Sequence, residues 1–178
     1  LYKIDLQFTS VMPIPVSTLF VGLNGLIALV LSYLVVTERT RTRIWHGETE
    51  TDIINQPNYL EHPNTWAAFV ESYTQKCVIT KTADDGVLQR KVRAYGNFTE
   101  YVPLGLLFVI TLELMRSSSW ILWLLGSMLT IGRVAHAWGL TITYGPSPGR
   151  AFGFFLTWLV YIAGASACVY YGIVGLLS

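Results

Sequence analysis

Charge is scarce in this chain. Asp, Glu, Lys and Arg make up 13% of its 178 residues, where soluble domains carry about 25%, and none of them lies between positions 151 and 178. With 52% hydrophobic residues and a mean hydropathy of +0.46, that deficit argues for a membrane protein. Cysteine is scarcer still: Cys77 falls in a polar stretch and Cys168 in an apolar run, so neither a disulfide framework nor a metal site is expected. His46, Glu61 and His62 lack metal-ligand spacing and read as loop residues. No internal repeat or low-complexity tract appears, and no nucleic-acid partner is expected.

What the chain does have is long apolar runs. Spanning a bilayer takes about 20 apolar residues, and four stretches qualify: 6–37 with its core at 16–36, then 98–115, 119–140 and 151–178. The expected fold is an all-α membrane protein, a four-transmembrane-helix bundle. The second stretch spans only if its helix starts before its apolar run. The third carries Arg133 and His136, which neighbouring helices must shelter. The core at 16–36 is long for a signal peptide and has no small-residue cleavage site. Arg39, Arg41, Arg43, Lys76, Lys81, Arg90, Lys91 and Arg93 all lie between the first and second stretches, and Arg133 and Arg150 flank the third connection. By the positive-inside rule both connections face the cytoplasm (or matrix or stroma), and both termini lie opposite. Read alone, the basic cluster needs no role beyond that topogenic one.

The second span opens on polar groups. Arg93, Asn97 and Glu100 fall at i, i+4 and i+7, so a guanidinium, an amide and a carboxylate share one helix face. Ionisable groups entering a membrane helix are costly and face a partner helix or a polar cavity rather than lipid. The trio reads either as a polar site at the mouth of the bundle or as a buried ion-pair network that fixes helix register. Arg133 reads as a site residue or as an interfacial arginine that snorkels. His136 reads as a site residue or as a bundle histidine bonded to Glu100 or to a backbone carbonyl. Asn24, a lone amide in the first span, reads as a bond across helices.

Between the first two spans stands a polar insertion at 47–88, expected on the cytoplasmic side. Within it Trp66, Phe69, Val70 and Tyr73 recur at i, i+3, i+4 and i+7, the pattern of a short amphipathic helix. Such a helix packs on its own bundle, lies on the membrane surface, or docks on a partner protein. Loops of this length are usually functional or disordered.

The string R-A-x-x-N-x-x-E-Y-x-P at 93–103 resembles the signature of the MAPEG family (membrane-associated proteins in eicosanoid and glutathione metabolism). Its members include microsomal glutathione transferases, leukotriene-C and prostaglandin-E synthases, and a short bacterial branch. Gly132, Arg133, His136, Ala137 and Gly139 look like the G-R-x-x-H-A/Y-x-G of that bacterial branch. A basic end to the first span and a Pro/Gly turn before the fourth extend the likeness over 16–46 and 89–177. The insertion at 47–88 departs from the family, as do His136 and Leu140, where eicosanoid synthases carry tyrosines.

The resemblance implies one MAPEG-like membrane domain over 1–178, assembled as a homotrimer, with glutathione as co-substrate. The implied activity is a membrane-bound transferase or peroxidase that conjugates or reduces lipophilic electrophiles. Carried over residue by residue, Arg93, Asn97, Glu100 and Tyr101 would hold the tripeptide, with Arg133 and His136 beside them. Arg43, or Arg39, would hold a carboxylate from the end of the first span, and Arg150 would stabilise the thiolate. The alternative is a non-catalytic subunit that keeps the fold and docks on a larger membrane complex through Trp66, Phe69 and Tyr73.

Overall fold

The computed structural model describes residues 13–45, 86–143 and 147–177, together with 51, 55, 65–66, 68–69 and 72–73. Among the described residues four long helices follow one another: α1 (Pro15–Thr42), α2 (Val87–Leu114), α3 (Ser119–Ile142) and α4 (Pro148–Leu177). Each is long and apolar enough to cross a membrane. The protein is thus an all-α, four-span bundle, as its apolar runs imply. The expected insertion at 47–88 falls largely outside the described residues, and so do Lys76, Cys77 and Lys81.

α1 opens on Pro15, whose missing N–H costs nothing in a first turn. It closes at Arg43, which adopts the left-handed conformation (φ 60) and donates its N–H to the Arg39 carbonyl. Arg39 and Arg41 occupy its last turn, where the helix dipole favours cations. α2 begins well before its apolar run, so Arg90, Lys91 and Arg93 ride on its opening turns; the second span is long enough because its start is polar. Pro103 lies inside α2 and withholds the N–H that would reach the Thr99 carbonyl. The loosened turn is braced from α4, where the Tyr161 hydroxyl donates to the Tyr101 carbonyl at 2.7 Å.

Two charged contacts pin α1 against α2 at opposite ends. At the basic end Glu38, 5% exposed, takes Lys91 Nζ at 2.6 Å and also pairs with Arg41. At the other end the Glu113 carboxylate accepts the backbone N–H groups of Val16 and Ser17. Between them lie two apolar clusters. Leu31, Ala94, Phe98, Val102, Ala137 and Leu140 fill the half nearer the basic end. Val109, Leu112, Leu122, Leu125, Leu129 and Val160 fill the other. Asn24 bonds across helices as expected, its Nδ2 donating to Thr130 Oγ1 at 2.9 Å.

α3 and α4 approach most closely through glycine. A Cβ on Gly153 would fall onto the Gly132 carbonyl and within 2.7 Å of the His136 backbone nitrogen. Near the turn, a Cβ on Gly139 would stand 2.7 Å from the Arg150 backbone nitrogen. Both contacts exist only because those Cβ atoms are absent, and they draw the start of α4 against the polar part of α3.

Candidate functional site

At the basic end a cavity of about 440 Å³ opens between α2, α3 and the first turn of α4. Its walls are Val92, Arg93, Gly96, Asn97, Glu100, His136, Leu140 and Arg150. Helical periodicity explains the list. Positions 93, 96, 97 and 100 form one face of α2, and 136 and 140 stand one turn apart on α3. Arg150 reaches them because Gly139 lets the opening of α4 lie against α3. The cavity therefore offers two guanidinium groups, one carboxylate, one amide and one imidazole over a partly apolar wall.

Of the α2 trio, only Asn97 joins a polar contact with a buried partner, Arg133; the ion-pair reading of Arg93 and Glu100 does not hold within the single chain. Among the described residues, Arg93 and Glu100 form no ion pair with each other, and both are exposed at the cavity. Two helical turns separate their Cα atoms by about 10 Å, so a direct contact needs side chains stretched along the helix. His136 likewise makes no hydrogen bond to Glu100 among the described residues.

Arg133 does not snorkel. It is 3% exposed and lies behind the cavity wall rather than in it. Its Nη1 donates to Asn97 Oδ1 at 2.7 Å and its Nη2 to the Gly153 carbonyl at 3.2 Å. Its guanidinium carbon sits 5.2 Å from the centre of the Tyr101 ring, within range of a cation–π contact. The Gly132–Gly153 approach is the cause, since it brings a backbone acceptor within reach of a side chain that would otherwise have to extend to the interface. Tyr101 also stands behind the wall, held through its carbonyl by Tyr161.

The fold thus brings together Arg93, Asn97, Glu100, His136 and Arg150, sets Arg133 and Tyr101 immediately behind them, and leaves Arg43 outside the lining, at the C-cap of α1. Leu140 lines the cavity beside His136, so both positions where eicosanoid synthases carry tyrosines face it. Sequence reasoning missed Tyr161 and Glu38. Tyr161 had no charged partner at helical spacing, and Glu38 had Arg41 at i+3 but nothing to mark Lys91, 53 positions away, as its partner across the helices.

These features define a multi-pass helical membrane protein with a polar, charge-lined cavity at one end. A sequence model of the MAPEG family matches residues 17–170, and the chain belongs to that family. Among curated proteins it is similar to the inner membrane protein YecN of Escherichia coli strain K12, 31% identical over 52 residues. That stretch is 29% of this chain and 40% of the relative. The YecN of E. coli O6:H1 matches to the same extent. The chain thus spans about two fifths of the length of the curated relatives it matches. No solved structure matches.

Proposed function

We propose that the protein is a membrane-bound, glutathione transferase- or peroxidase-like enzyme that conjugates or reduces lipophilic electrophiles. The observation that carries this reading is the convergence of Arg93, Asn97, Glu100, His136 and Arg150 on one cavity. Glutathione carries two carboxylates, an ammonium and a thiol. Guanidinium forks match carboxylates in bidentate geometry, which suits Arg93, and a carboxylate such as Glu100 suits the ammonium. A thiol must ionise to attack, and a neighbouring cation favours the thiolate; that is the catalytic role of Arg150. The proton leaves to solvent, sulfur bonds the electrophilic carbon, and the leaving group departs with its electron pair. His136 and Asn97 complete the cradle. Arg43, outside the lining of its own chain's cavity, serves that of a neighbour in a homotrimer. In this reading the basic end faces the cytoplasm or its organellar equivalent, where glutathione is available, and the lipid bilayer delivers the electrophile.

The test is a glutathione titration and a conjugation assay with a lipophilic aryl halide, both on the purified full chain in mild detergent. Arg150→Ala is expected to keep glutathione binding and to lose conjugation. A folded protein that binds no glutathione overturns the reading.

A second reading, docking on a larger membrane complex, is favoured by one observation. Trp66, Phe69 and Tyr73 are exposed, and the Trp66 and Phe69 rings stack at 5.6 Å. Trp66→Ala and Tyr73→Ala would then strip co-purifying protein from a bundle that stays folded. An unchanged co-purification profile rejects it.

A further inference from the structure

Arg133 and Asn97 are not two equivalent ligand contacts. We infer that Arg133 is a positioning residue that locks the Asn97 amide with its N–H donors toward the cavity, so that this point of the site takes an oxygen acceptor, a carboxylate above all. The ligand class named here rests on the glutathione reading; the amide orientation does not.

The argument is one of donor and acceptor inventory. A guanidinium has five N–H donors and no acceptor. The group that meets Arg133 Nη1 at 2.7 Å is therefore the Asn97 oxygen, whichever way an amide is drawn. Arg133 cannot turn away, because it is 3% exposed, donates to the Gly153 carbonyl at 3.2 Å and lies on the Tyr101 ring. With Oδ1 engaged, the Nδ2 donors are what Asn97 has left to offer the cavity it lines. An ammonium is repelled there and finds its acceptor at Glu100, one turn along α2. Arg133 also has no acid partner among the described residues, so its buried charge favours an anionic acceptor on the far side of the amide. The cavity accordingly has a fixed polarity, with a ligand carboxylate at Asn97 and a ligand ammonium at Glu100.

Two measurements on the full chain in detergent decide this. The first needs no ligand. Asn97→Asp gives Arg133 a carboxylate and is expected to melt at or above the wild type, while Asn97→Leu melts below it. If both variants melt equally low, Arg133 does not hold this side chain and the inference fails. The second is titration with glutathione. Asn97→Asp, though well folded, is expected to bind about tenfold more weakly or worse, because an acceptor has replaced a donor to a charged group; unchanged affinity overturns the donor role. Arg133→Gln should weaken binding in the wild type and have no further effect in the Asn97→Leu background. A second full loss in that background would make Arg133 an independent contact and overturn its positioning role. If wild-type protein binds no glutathione, the proposed activity falls, and the ligand-free melts still decide whether Arg133 orients Asn97.

Discussion

The carboxylate of Glu113, near the end of α2, accepts the backbone N–H of Ser17 at 2.7 Å and that of Val16 at 3.0 Å. A side chain of one helix thus caps the start of another, satisfying two donors that an α-helix leaves orphaned and placing negative charge at the positive end of its dipole. α1 has no cap of its own here: its first residue is Pro15 and Ile14 precedes it. Glu113→Ala is expected to destabilise the protein by about 1–2 kcal/mol, the scale of a lost N-cap, with Glu113→Gln intermediate because one oxygen remains. A thermal melt checks this, and an unchanged midpoint for the alanine variant would mean that water caps α1 equally well.

At the other end of the same helix pair, Glu38 joins Lys91 and Arg41. Lys91→Ala removes the cross-helix partner of a nearly buried carboxylate, and Glu38→Ala removes the acid that Lys91 and Arg41 share. Removing one side of a buried pair costs about 3–5 kcal/mol; both cations keep some contact with solvent, which places these variants at or below the low end. The double variant Glu38→Gln, Lys91→Met should cost less than the sum of its parts. Strict additivity in that cycle would contradict the contact.

Glu100 should separate stability from binding. It is exposed at the cavity and makes no ion pair with Arg93 among the described residues, so Glu100→Gln is expected to shift stability by less than about 0.5 kcal/mol. Arg93→Gln and Glu100→Gln should add in a thermal-melt cycle. Glutathione affinity, by contrast, should fall about tenfold with loss of the carboxylate partner for the ligand ammonium. A large loss of stability with unchanged affinity would return Glu100 to a structural role.

The α3–α4 crossing tolerates no Cβ at Gly153. Gly153→Ala must push α4 away from Gly132 and His136, at a cost of about 1–3 kcal/mol. The same displacement removes the carbonyl from Arg133, so glutathione affinity should drop as well. Gly172→Ala, with nothing within 4 Å of the added methyl, is the control and should leave both unchanged.

Oligomeric state bears on the role of Arg43. A homotrimer is expected, because Arg93 and Glu100 are exposed on a single chain at the mouth of a membrane span and Arg43 does not line its own chain's cavity. Native mass spectrometry from detergent should show trimers. In mixed oligomers of Arg43→Ala and Arg150→Ala chains, some sites should draw both intact residues from different chains and regain conjugation. A stable, glutathione-binding monomer would reject the arrangement.

Most of the fold is legible in the residue order, because lipid permits so few ways to satisfy a backbone. A long uncharged run must be a helix, since only helices close their own hydrogen bonds within one segment. Two of the four apolar runs, 6–37 and 151–178, carry no charge at all, and basic connections follow the first and third runs. The face shared by Arg93, Asn97 and Glu100 follows from a period of 3.6. The turn of α3 between His136 and Leu140 follows in the same way.

What the order of residues left undecided were the contacts made across distance. Ser17 and Glu113 are 96 positions apart, and along the chain Glu113 is merely a charge interrupting an apolar run. Arg133 reads equally as an interfacial arginine or as a ligand contact until Gly132 and Gly153 bring α4 close enough to supply a carbonyl. Arg93 and Glu100 read either as a pair or as two site groups until the structure sets both on one cavity wall, with no ion pair between them among the described residues. Composition and periodicity determine which face of a helix a charge occupies. Only packing decides whether that face meets lipid, a partner helix or an empty space, because that choice depends on how closely the backbones approach.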